Sequence, residues 1–141
     1  MRSPFRISVL APAIALIGAT LMRDGASADA SSELPIRTPG LWRITTVSPE
    51  TGMRTHDVCI AEADSIIGNQ AADCARPLVT RAGDQVIVTI ECGVGERRNV
   101  ESLLFTGDFK SWYRAQSKVT SGVRRSGFSI DAQLLSMPCA D

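Results

Sequence analysis

The chain of 141 residues is poor in several chemical resources: it has one histidine, aromatic residues make up 5% of it, and its 15 basic side chains are balanced by 15 acidic ones. Balanced charge supplies no broad positive field for phosphate backbones or anionic lipid, which excludes nucleic acid as an expected partner. The pairs Arg97-Arg98 and Arg124-Arg125 are too short to reverse that and read as solvated strand edges. The lone histidine, His56, stands beside Asp57, but neighbours in an extended strand face opposite ways and cannot form a simple dyad. There is no Gly-x-Ser-x-Gly elbow to supply a nucleophile. Gly93-Val94-Gly95 lacks the third glycine of a dinucleotide loop and reads as a turn. No two cysteines stand as Cys-x-x-Cys, so the usual zinc and thiol-exchange motifs are missing. The expectation is therefore no catalytic residues, no metal ligands and no cofactor.

What is present begins with an address. Arg2 and Arg6 precede an apolar stretch over 7–21, and Ala26-Ser27-Ala28 follows with the small side chains a signal peptidase accepts. Fifteen apolar residues fall short of the roughly twenty needed to cross hydrocarbon, so cleavage after Ala28 is expected, with Ala30 as the alternative. No cysteine lies near this junction for lipid attachment. The expected product is periplasmic or secreted, without stable membrane insertion. Residues 1–28 carry Arg2, Arg6, Arg23 and Asp24, which leaves 113 residues with 12 basic and 14 acidic side chains. That length suits one domain, expected over 39–141, preceded by a polar flexible leader at 29–38 that contains Pro35.

From Gly40 onward the pattern is mainly β. Leu41, Arg43, Thr45 and Val47 alternate with Trp42, Ile44 and Thr46, and Ser48-Pro49-Glu50-Thr51-Gly52 closes a hairpin onto a strand over 53–60. The clearest strand puts Val86, Val88, Ile90 and Cys92 on one face and Ile87, Thr89 and Glu91 on the other. Further strands are expected over 99–106, 110–120 and 127–135. Residues 61–67 are rich in helix formers and stop at Gly68, which predicts one short helix. The fold class that follows is an antiparallel meander of about seven strands, curled or barrel-like, with that helix and two disulfides. Trp42, Phe105, Phe109, Trp112, Tyr113 and Phe128 are expected mostly as core, although adjacent Trp112 and Tyr113 must face opposite ways.

Cys59, Cys74, Cys92 and Cys139 lie 15, 18 and 47 residues apart and are expected to form bridges in an oxidising compartment. If Ala82-Gly83-Asp84 is a three-residue loop, Val79 faces Ile87, Leu78 faces Val88 and Cys74 faces Cys92. That register prefers a Cys74–Cys92 bridge and leaves Cys59 for Cys139. A slip of one residue removes the opposition, so spacing alone leaves the connectivity open.

The order of these features resembles a known family. Pro39-Gly40-Leu41-Trp42, a Cys59 followed by a short acidic segment, Asp73-Cys74, the 86–92 strand, Thr106-Gly107-Asp108-Phe109 and a final Cys139 are similar to the small secreted bacterial proteins of the domain of unknown function 3617 family. The likeness spans about 38–141. Members often have Thr-Pro after the first cysteine, where this chain has Ile60-Ala61, and methionine-rich strands that are absent here. The resemblance implies a periplasmic β-rich fold and no particular activity.

The expected function is a non-enzymatic sheet that binds an unknown small molecule or envelope protein on a concave face. One alternative is a structural or assembly partner of the envelope with an exposed apolar patch or unpaired edge. Another is a hydrolase built from scattered carboxylates such as Glu91, Glu101 or Asp131, two of which would have to lie within about 10 Å with one proton affinity raised.

Overall fold

The computed structural model describes residues 33–139. The expected signal segment and the start of the leader lie outside them. Strands Gly40–Ser48 (β1), Gly52–Ile60 (β2), Leu78–Ala82 (β3), Gln85–Cys92 (β4), Asn99–Gly107 (β5), Trp112–Ser121 (β6), Arg124–Ser126 (β7) and Ser129–Ser136 (β8) form one antiparallel sheet. Its order is β2-β1-β8-β6-β5-β4-β3, with β7 on β6, and the two edges β2 and β3 do not pair. The sheet is thus open. It also departs from a plain meander, because the last strand inserts between the first hairpin and β6.

Eight strands replace the expected seven for a local reason. β7 and β8 keep one register along β6, with Val119 opposite Ser126 and Gln116 opposite Ser129. The Ser117 N–H bonds the Phe128 carbonyl across the gap at 2.8 Å. The break falls at Gly127, where a Cβ would sit 2.2 Å from the Ser117 carbonyl oxygen.

Alternation aims one set of side chains inward. Trp42, Val88, Ile90, Phe105, Tyr113, Ala115 and Ala132 are buried, while Arg43, Arg114, Gln116, Lys118, Asp131 and Gln133 on the reverse face are exposed. Ile60 from one edge strand and Val79 from the other belong to the same core cluster, so the sheet curls around its inner face. Among the described residues no helix is long and apolar enough to cross a membrane.

The expected helix over 61–67 is absent; two tight turns stand there, with Asp64 N–H bonding the Ala61 carbonyl and Gly68 N–H the Ser65 carbonyl. Seven residues are too few to nucleate a helix without tertiary support. Here tertiary contacts oppose one: Arg37 takes the carbonyls of Asp64 and Ser65, and the Asp64 carboxylate accepts the Ala61 N–H. The described helical element is instead a 3-10 turn, Gly95–Arg97. Residues 33–38, the described part of the expected leader, pack against the sheet, with Pro35 and Arg37 buried and Leu34 against the core cluster.

The β3–β4 register also needs correcting. The loop has two residues, Gly83 and Asp84, with Gly83 at φ 63°, so Val79 faces Val88 and Leu78 faces Thr89. The shift turns Val79 inward at 4% exposure and leaves Leu78 outside at 65%. Before β3 the pairing steps by one residue at Arg76-Pro77, where proline has no N–H to give the ladder. Ala75 N–H then bonds the Glu91 carbonyl, Gly93 N–H bonds the Asp73 carbonyl, and Cys74 stands opposite Cys92.

The structure closes Cys74–Cys92 and Cys59–Cys139, with Cα separations of 3.9 and 5.7 Å. The second bridge passes over β1, joining β2 to the segment after β8. Loop closure gives the bridges unequal weight: a separation of 18 corresponds to about 3 kcal/mol and one of 80 to about 4.5 kcal/mol. Urea unfolding of Cys59→Ser/Cys139→Ser should therefore show the larger loss, and that of Cys74→Ser/Cys92→Ser the smaller.

Candidate functional site

The inner face is organised around Tyr113 of β6. Its ring centroid lies 5.5 Å from Trp42, 6.4 Å from Phe105 and 6.0 Å from Phe109, the last in a stacked pair. Trp42 is 0% exposed, and its indole N–H donates to the Thr38 carbonyl at 2.8 Å, which satisfies the one polar atom that burial would otherwise strand. The Thr38 N–H donates in turn to the Phe109 carbonyl at 3.0 Å. The segment before β1 is thereby tied to the loop between β5 and β6.

That loop is built around Asp108. Its Oδ1 accepts the N–H groups of Lys110, Ser111 and Trp112, and its Oδ2 accepts the Ser111 hydroxyl. These donors, the Ser111 hydroxyl foremost, hold the carboxyl far below the usual carboxylate range. The turn they fix lets Phe109 adopt φ 57°, a left-handed conformation costly for a bulky residue. Gly107 is required beside it, because at φ 129° a Cβ would lie 2.6 Å from the Trp112 carbonyl oxygen.

Arg37 is the residue that sequence reasoning missed. Its guanidinium lies 6.0 Å from the Tyr113 centroid and donates to the Tyr113 hydroxyl and to the carbonyls of Asp64 and Ser65. It is 9% exposed, and its Nε has no hydrogen-bond partner among the described residues. Arg37 thus fastens the β2–β3 connection above the inner face.

Ile66 and Ile67 of that connection roof a cavity of about 280 Å³. Its floor is low because β6 carries a small inward residue, Ala115, with Ser117 two positions on. Leu103 and Phe105 of β5 and Phe128 and Ile130 form apolar walls around the Ala115 position. Glu101 adds a half-buried carboxylate, whose Oε1 accepts the Ser117 hydroxyl at 2.6 Å. An apolar recess with a few convergent polar groups has the composition of a small-molecule site. The only sequence signal for it is that pair of short side chains at inward positions of one strand.

The carboxylates weighed for hydrolysis are not gathered. Glu101 lies on the inner face, whereas Glu91 and Asp131 lie on the outer one, where they pair with Arg98 and Arg114. Arg98 holds the Glu91 carboxyl below its usual range, opposite to the direction an acid catalyst needs. His56 is exposed on β2, and Asp57 turns away from it into a two-pronged pair with Arg43 at 2.8 and 2.9 Å. A groove of about 310 Å³ on the outer face runs past Trp112 and Gln133, but the charges along it, Arg114 and Asp131, satisfy each other. Among the described residues no group of three His, Cys, Asp or Glu could hold a metal ion.

Asp108 gives the inner face a pH dependence with a definite sign. Its folded state holds the proton more weakly than the unfolded chain does, so its contribution is complete at neutral pH. That contribution is lost as pH falls below the ordinary carboxylate value of about 3.9. Asp108→Asn should be less stable than the parent at pH 7, and the gap should narrow between about pH 4 and pH 2 in unfolding curves followed by near-ultraviolet dichroism.

No match was found among curated proteins or among solved structures. The family described as "Protein of unknown function (DUF3617)" matches residues 37–139, a span that starts at Arg37, contains the whole sheet and ends on the last bridged cysteine. The chain belongs to this family.

Proposed function

We propose that the chain is an exported, non-enzymatic binding module that holds a small molecule on the inner face of its curled sheet. The observation that carries this reading is the cavity of about 280 Å³ under Ile66 and Ile67. A core of this size normally packs without voids, because side chains interdigitate and an empty space forfeits contact energy. Here β6 offers Ala115 and Ser117 where larger inward residues would close the gap, and Arg37 holds the roof over the space that remains.

Export is supported by two features. Disulfides persist where cellular reductants are scarce, and the amino-terminal order of arginines, apolar run and Ala26-Ser27-Ala28 is that of a signal peptide. An envelope protein as partner remains a second reading, favoured by the open outer edges of β2 and β3. The exposed Arg54, His56 and Asp57 blunt the first of those edges, so the cavity is the stronger candidate.

Native mass spectrometry of protein taken from the periplasm tests the proposal. The chain should begin at Asp29 and carry a small added mass that disappears on mild activation. Ala115→Leu, which fills the recess, should fold but lose that mass. Parent protein that never retains a ligand would count against a binding cavity.

A further inference from the structure

We infer that the inner-face cavity takes a small organic cation, an apolar body bearing one protonated amine, with Glu101 as its counter-ion. The inference rests on the binding reading above and adds the chemical class of the ligand.

The apolar walls come first. Leu103, Phe105, Phe128 and Ile130, with Ile66 and Ile67 above, offer hydrocarbon contact to an apolar body. At about 30 Å³ for each water-sized group, the volume holds roughly nine such groups, so the body is that of a compact amine.

The charge comes next. Asp57, Glu91 and Asp131 each meet an arginine. Glu101 does not: among the described residues its bond is to the Ser117 hydroxyl, and no cation pairs with it. An ionised carboxylate offers about four lone-pair positions, and Ser117 occupies one. A half-buried carboxylate facing an apolar space is costly without a partner of opposite charge, and an ammonium group supplies both charge and donors.

The placement of Arg37 agrees with this polarity. It meets β6 at Tyr113, four residues from Ser117, which is about 13 Å along an extended strand. Tyr113 stands between that guanidinium and the cavity. A ligand ammonium at Glu101 therefore keeps clear of the fixed positive charge, whereas an anionic ligand would share the apolar space with the Glu101 carboxylate.

The test uses three probes of one shape, phenethylamine, 2-phenylethanol and 3-phenylpropanoate, titrated at pH 7 into the full folded chain and followed by saturation-transfer NMR and calorimetry. Phenethylamine should bind at least about tenfold more tightly than the alcohol, and the carboxylate most weakly. Glu101→Gln keeps an acceptor for Ser117 and removes the unpaired charge, so its thermal midpoint should be no lower than the parent's. In that variant the affinity for the amine should fall about tenfold, to the level of the alcohol, while the alcohol is unaffected. Equal binding of amine and alcohol to the parent, or an amine preference that survives in Glu101→Gln, overturns the cation assignment and leaves the binding cavity standing. Failure of all three probes to bind also overturns the cation assignment, while the binding cavity stands or falls with the native mass spectrum.

Discussion

The structure depends on the pairing of β8 with β1. This contact joins residues far apart in the chain, such as Ile44 and Ala132, and it is what attaches the first hairpin to the rest of the sheet. Without it β1 and β2 would be an isolated two-stranded ribbon, marginal in water at best. With it, β1 gains a second hydrogen-bonded neighbour, and Trp42 and Ile44 are carried over the inner face beside Tyr113 and Ala132. The close fit has visible requirements. Gly40 sits where a Cβ would lie 2.5 Å from the Ser136 carbonyl oxygen, and the Cys59–Cys139 bridge closes over the same corner.

Once the first and last strands are joined, the other polar contacts fall into place around Tyr113. Trp42 needs an acceptor for its indole, Thr38 provides one, and Thr38 is itself held by the loop that Asp108 shapes. Arg37, one residue earlier, reaches across Tyr113 to the β2–β3 connection. The roof over the cavity is therefore anchored by the segment that enters β1. The Pro39-Gly40-Leu41-Trp42 opening, the Thr106-Gly107-Asp108-Phe109 turn and Cys139 are parts of one buttress. None of them lines the recess, whose walls are mostly ordinary apolar side chains.

Local pattern made most of the sheet legible. Strands over 86–92 and 40–48 were readable because a period of two separates Val86, Val88 and Ile90 from Ile87 and Thr89, and Trp42 and Ile44 from Arg43 and Thr45. Strand order was not readable, since antiparallel pairing between β1 and β8 leaves no mark on either strand that differs from pairing in a meander. The 61–67 segment shows local propensity giving way to tertiary demand: Ala61, Glu62 and Ala63 favour a helix, but the carbonyls of Asp64 and Ser65 are taken by an arginine 27 and 28 residues earlier. The β3 register turned on one residue of loop length, which no composition rule fixes, and it moved Val79 and Leu78 to opposite faces. The site was the least legible part. A cavity arises from what Ala115 and its neighbour Ser117 do not fill, and small residues on a strand carry no signal of their own. Glu101 was readable as a carboxylate of interest, but its isolation from every arginine on the other face follows only from the sheet's alternation.

The insertion of β8 is most directly tested by through-space NMR contacts at Ala132. Its position between Ile44 and Tyr113 requires cross-strand Hα or methyl contacts to both residues in the same folded protein. Contacts from Ala132 to Tyr113 with none to Ile44, and β1 amides that exchange with solvent independently of β6, would contradict the arrangement on which the cavity and its roof depend.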